Sequence, residues 1–129
     1  MELTLIGKIM LTDKDYCDYD TCVALEEFGF SIRRIKVKGE EKRVPILLYE
    51  AQKWLREEKG VIVEVFVDDD SDTPITYNIH KDGECVCHHH GKYWSVKEWS
   101  VVLSEGIKKA VKILTINKNE QSTKSTPDY

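Results

Sequence analysis

At 129 residues and 15.0 kDa, with 41% hydrophobic and 33% charged side chains, the chain has material for one packed core and too little for two. A formal net charge of -4 and a pI near 5.6 remove the general electrostatic motive for nucleic-acid binding, which needs a concentrated surplus of Lys and Arg. No basic flank, apolar run and small-residue cleavage site open the chain, and no window approaches membrane-spanning length. A cytoplasmic location with no membrane contact is therefore expected, and the four cysteines are expected as thiols.

Met1 to Leu11 carries Leu3, Leu5, Ile6, Ile9, Met10 and Leu11 with poor periodicity, which fits a short strand or an apolar arm. A polar connection over Thr12 to Cys17 follows. Asp18 is placed to cap a helix from Tyr19 to Phe28, because its short carboxylate can accept from an unpaired amide of the first turn. Cys22, Leu25 and Phe28 form the buried stripe of that helix, with Ala24 near its edge, and Gly29 ends it. Ile32 to Val37 reads as an edge or one-sided strand in which Arg33, Arg34 and Lys36 alternate with β-branched residues. Gly39-Glu40-Glu41-Lys42 reads as the turn after it.

The stretch from Pro45 to Val67 orders the rest. Leu48, Ala51, Trp54 and Leu55 recur at the spacing of one helix face, while Glu50, Gln52, Lys53, Arg56 and Glu57 fill the remaining circumference. Gly60 stops that helix and releases the chain into Val61-Ile62-Val63-Glu64-Val65-Phe66-Val67, a β-branched run. Trp54 and Leu55 are expected against this strand, with Trp54 the side chain that matters most for stability. Asp68-Asp69-Asp70-Ser71-Asp72 is a loop, since a buried element could hold such charge only if it were paired.

Ile75 to His80 and Glu84 to His88 read as two more strands around an Asp82-Gly83 turn, an antiparallel meander with the strand from Val61. Ser95 and Glu98 have the spacing of a capping box, with Trp94 before them as a hydrophobic staple. The last helix then buries Trp99, Val102, Leu103, Ile107, Ala110, Val111 and Leu114. Gly106 lies inside it at a cost of about 1 kcal/mol relative to alanine, and either marks a close crossing against Trp54 or has no packing role. The expected architecture is a single α+β domain over residues 1–116, a three-stranded or larger antiparallel sheet packed against about three helices, followed by a disordered polar tail over 117–129.

Three blocks carry a likeness: Tyr19-Asp20-Thr21-Cys22-Val23-Ala24-Leu25-Glu26-Glu27-Phe28-Gly29-Phe30, then Pro45 with Glu50-Ala51-Gln52-Lys53-Trp54-Leu55-Arg56-Glu57-Glu58 and Gly60, and Ser95-Val96-Lys97-Glu98 opening a helix that finishes Lys109-Ala110-Val111-Lys112-Ile113-Leu114. In these blocks the chain resembles small proteins encoded by bacteriophages and prophages of Bacteroides-like gut bacteria. Several of those have a Pro-Cys or aromatic-rich strand where this chain has Ile32-Arg33-Arg34-Ile35. The resemblance implies a mobile-element setting and brings no activity, ligand or partner with it.

One cluster invites a chemical reading, Cys85-Val86-Cys87-His88-His89-His90. Thiolate and imidazole are zinc ligands, strand alternation would send Cys85 and Cys87 to one face, and His88 and His90 could join them. The pair is nevertheless tighter than the usual knuckle spacing, and no second pair follows at finger or ribbon distance. Asp68, Asp70 and Asp72 have the opening spacing of a calcium loop, but Thr73 stands where glycine is needed and Ile79 where the bidentate glutamate belongs, which excludes an EF-hand. No phosphate loop, nucleophile elbow or paired-histidine zinc helix is present, and helix periodicity puts Cys22 in the core, where a thiol is usually inert.

The expected function is that of an accessory protein that binds another protein and turns over no substrate. Neither a cofactor nor nucleic acid is expected. The acidic rim Asp68, Asp69, Asp70 and Asp72 and the aromatics Tyr77 and Tyr93 are its candidate contacts, and the alternative is a zinc-binding module built on Cys85, Cys87, His88 and His90. The sequence identifies neither the partner protein nor an oligomeric state.

Overall fold

The computed structural model describes residues 13–67, 75–88 and 98–124. Among them the element order is α1 (Tyr19–Glu27), β1 (Arg34–Val37), β2 (Glu40–Arg43), α2 (Leu48–Lys59), β3 (Val61–Val67), β4 (Ile75–Lys81), β5 (Glu84–His88) and α3 (Trp99–Lys124), with a short 3-10 turn at Asp13–Asp15 before α1. The fold is α+β, with two antiparallel sheets. One is the β1-β2 hairpin and the other a meander in the order β3-β4-β5, and three helices pack with them.

Local chemistry sets most of the boundaries. Asp18 caps α1 by accepting from the Thr21 amide at 2.8 Å. At the start of α2 the Glu50 carboxylate reaches back to the Leu47 amide at 3.2 Å, while Gly60 ends the helix in the left-handed conformation, φ 65°, with its amide on the Leu55 carbonyl. Asp82 and Gly83 both have positive φ, 52° and 86°, the geometry of the two-residue turn expected there.

The core lies between the meander and the helices. Val61 and Val63 of β3 and Ile75, Tyr77 and Ile79 of β4 project from one face of the sheet, as period-two alternation requires, onto Leu48, Ala51 and Leu55 of α2 and Val102, Leu103, Ile107 and Ala110 of α3. α1 adds Cys22 and Leu25 beside α3. Gly106 permits the close approach of α3. A Cβ there would stand 2.6 Å from Val63 Cγ1 and 3.4 Å from the Tyr77 ring, so the crossing is against the sheet and not against Trp54.

Five expectations need correction. Glu40 to Lys42 belong to strand β2 and not to a turn. The turn is the two residues Lys38 and Gly39, at φ 53° and 82°, and the ladder resumes at once with Val37 opposite Glu40. α3 runs to Lys124, through much of the stretch whose polarity suggested a disordered tail; an established helix is extended one bond at a time, and no proline interrupts it before Pro127.

Trp54 is half-buried, while Leu25, Leu55 and Ile79 are fully enclosed. Its ring meets Phe30 edge-on at 5.5 Å and 64°, and the Lys59 ammonium lies 5.6 Å from its centre. Trp54→Ala should therefore cost about 1 to 2 kcal/mol in chemical denaturation, below the roughly 3 to 5 of a fully enclosed tryptophan. A loss at the upper figure would mean that solvent reaches less of the ring than the structure shows. The fourth and fifth corrections, the face occupied by Cys87 and the burial of Tyr77, belong with the site. The expected strand or arm at Met1 to Leu11, the Ser95 cap and Trp94 all lie outside the described residues.

Candidate functional site

The cysteine and histidine cluster is divided by a β-bulge. Asn78 faces His88 and Ile79 faces Cys87, but His80 faces Cys85, so Val86 is an extra residue in β5. The inserted residue inverts the alternation. Cys87 turns with Ile79 towards the core, and Cys85 turns with His80 to the open face, so the pair does not share a face. The Cys85 thiol donates to the Cys87 carbonyl at 3.6 Å, and the His88 ring hydrogen-bonds Asn78 and stacks on Phe66 at 6.3 Å. On the same open face, Glu64 lies 3.6 Å from His80. Among the described residues no three His, Cys, Asp or Glu side chains converge where a metal could sit. His89 and His90 lie outside them.

The remaining cysteines are internal. Burial first, then the neighbouring Cys22, Asp18 and Glu50, pushes the Cys17 thiol up to about 12, and burial likewise raises Cys22. Both are protonated at neutral pH and neither is an activated nucleophile. Tyr77, expected as a surface aromatic, is 5% exposed beneath Gly106 on α3, and its phenol is pushed up to about 12 chiefly by that burial. It packs the core because it stands two residues from both Ile75 and Ile79, on their face of β4. Asp68, Asp69, Asp70, Asp72 and Tyr93 lie outside the described residues.

Among the described residues the β1-β2 hairpin is exposed along its whole length. Every residue of both strands is open to solvent. One face, Arg34, Lys36, Glu41 and Arg43, turns towards α1, where Glu26 accepts from Arg34 at 2.6 Å and pairs with Arg43 at 3.0 Å, and Arg43 also covers the Tyr19 ring at 5.8 Å. At the base Arg33 meets Glu50 of α2 at 3.2 Å. The opposite face carries Ile35 and Val37, 53% and 40% exposed, with Glu40 and Lys42 across from them. Residues 31–44 hold six cations and two glutamates, an excess of +4, so the rest of the chain, whose total is -4, carries -8. The arm is a basic, partly apolar projection from an acidic protein. Sequence reasoning saw the cations but missed the second strand, although a glycine in a two-residue gap between alternating segments is a readable hairpin signal.

Two open clefts of about 310 and 270 Å³ flank the Asp18–Lys108 ion pair, in which Lys108 Nζ stands 3.1 Å from Asp18 Oδ2. The Thr21 hydrogen bond, and then Lys108, hold the Asp18 carboxyl below its ordinary range, while Asp18 raises Lys108. A depressed acid stabilises the fold above its unfolded pKa and ceases to do so as the pH falls through the folded one, whereas the raised lysine loses its contribution only in alkali. Asp18→Asn keeps a capping oxygen and removes the ion pair. Its stability should fall less steeply than the parent's as the pH drops below about 4. Parallel acid-titration curves for the two proteins would refute this role.

No family model matches this sequence, and no curated protein or solved structure is significantly similar to it. Among the described residues no helix is long and apolar enough to cross a membrane.

Proposed function

We propose that this protein works by associating with another protein through the β1-β2 arm and does not turn over a substrate. The observation that carries the reading is the outward face of the arm, where Ile35 and Val37 stand exposed beside Arg33 and Lys42 while the inward face is fastened to Glu26. Exposed β-branched side chains on a hairpin held by ion pairs contribute little to the fold, because surface pairs are worth about 0 to 1 kcal/mol and the apolar groups stay wet. They offer area to a partner. The mobile-element setting that the sequence resemblance implies would accommodate an accessory role, without naming a partner.

The test is capture from a lysate of the organism that makes the protein, comparing the parent with the double variant Ile35→Glu, Val37→Glu. A partner held by the parent and lost by the variant, with the circular dichroism spectrum unchanged, is the expected result. Equal capture by both would remove the arm from the interface.

A further inference from the structure

We infer that the outer edge of β1 is a strand-addition site for an extended peptide in which acidic and apolar residues alternate. This rests on the reading of the arm as a binding surface and assigns its partner's chemistry. In the hairpin the Val44 amide bonds the Arg33 carbonyl at 2.8 Å, and the two-residue turn pairs Val37 with Glu40, so Arg33, Ile35 and Val37 direct their backbone groups inward. The intervening residues, Arg34 and Lys36, therefore turn their N–H and C=O groups outward along the edge of β1 that carries no other strand among the described residues, at the spacing another strand requires.

The other described edges are closed or irregular. On β3 the Gln52 side chain of α2 donates to the Val63 carbonyl at 2.7 Å. β5 is bent by the Val86 bulge, a device that interrupts pairing. β2 carries two acids and then two bases, Glu40, Glu41, Lys42 and Arg43, whereas every charged residue of β1 and its flanks, Arg33-Arg34-Ile35-Lys36-Val37-Lys38, is a cation.

That pattern selects the occupant. A strand laid antiparallel to β1 places one set of alternate side chains beside Ile35 and Val37 and the other beside Arg34 and Lys36; Arg34 already pairs with Glu26, so apolar residues suit the first set and a carboxylate opposite Lys36 suits the second. A second copy of this chain does not fit. Two-fold antiparallel pairing of β1 with itself sets Arg34 against Lys36 when centred on Ile35, and Lys36 against Lys36 when centred on Lys36, and like charges directly opposite destabilise a sheet. Nucleic acid is disfavoured by Glu40 and Glu41 beside the turn.

The experiment is amide hydrogen exchange on the full chain with a short capped peptide of alternating Glu and Val. At saturation the Arg34 and Lys36 amides should exchange at least about tenfold more slowly, while those of Ile35 and Val37, already bonded within the hairpin, change little. Lys36→Pro removes one outward donor and leaves the inward ladder intact, so it should weaken peptide binding at least about tenfold more than Lys36→Ala, which removes the charge alone. No slowing at Arg34 and Lys36, the same slowing with a peptide of blocked Glu and Val runs, or equal slowing with oligodeoxythymidine would each overturn strand addition. If the lysate partner is lost with Ile35→Glu, Val37→Glu but kept by Lys36→Pro, the arm remains the interface and its edge does not. If the partner is indifferent to all three substitutions, the reading of the arm itself fails.

Discussion

Leu55→Ala is expected to lower the unfolding free energy by about 3 to 5 kcal/mol, a large part of the roughly 5 to 15 available to a small domain. Leu55 is fully enclosed on the inward face of α2, in the same cluster as Val61, Val63, Leu103 and Ile107. Truncation removes its transfer energy and leaves a cavity that the strand on one side and α3 on the other cannot easily close. Denaturant unfolding of the variant against the parent reads the loss as a lower midpoint at similar slope. A loss below about 1 kcal/mol would show that the helix and sheet collapse onto the vacancy.

Gly106→Val is expected to cost about 3 kcal/mol, for the opposite reason, overpacking. The first added carbon would already stand 2.6 Å from Val63 Cγ1, and Val63 is itself 1% exposed on β3, which packs against both α2 and α3, so it cannot swing aside. Helix propensity works in the other direction, since glycine in a helix interior is about 1 kcal/mol worse than alanine. The two effects separate in a series. Gly106→Ala should be destabilised less than Gly106→Val, because its single methyl recovers propensity while forcing a smaller displacement of α3 from β3. Thermal unfolding that ranks both variants at or above the parent would mean that α3 shifts on the sheet at negligible cost.

Much of the fold was legible because its signals are local. Asp18 before Tyr19, Gly60 after Lys59 and Asp82-Gly83 between two strands each act within a few residues, and the bonds they make are those their chemistry demands. The burial of Val102, Leu103, Ile107, Ala110, Val111 and Leu114 follows from the helical period alone. Glu40 to Lys42 misled because charge and a preceding glycine resemble a turn, while the pairing that makes them a strand is supplied by β1.

The candidate site was less legible. Cys85 and Cys87 look like one face of a strand, and only the register against β4 reveals that Val86 is inserted and sends them apart. A one-residue shift exchanges the faces of a sheet because the side-chain period is two, and nothing in Glu84-Cys85-Val86-Cys87-His88 announces it. Tyr77 carries the same phenol as the exposed Tyr19 and Tyr49. Its burial depends on α3 crossing the sheet at Gly106, a contact between residues far apart in the chain. The sequence by itself determined where α1, α2 and the meander strands begin and end, since capping, glycine conformation and periodicity are properties of neighbours. Only the tertiary structure decided which faces of those elements look outward and that β1 pairs, among the described strands, with β2 alone, because strand register and helix crossing are settled by long-range pairing and packing.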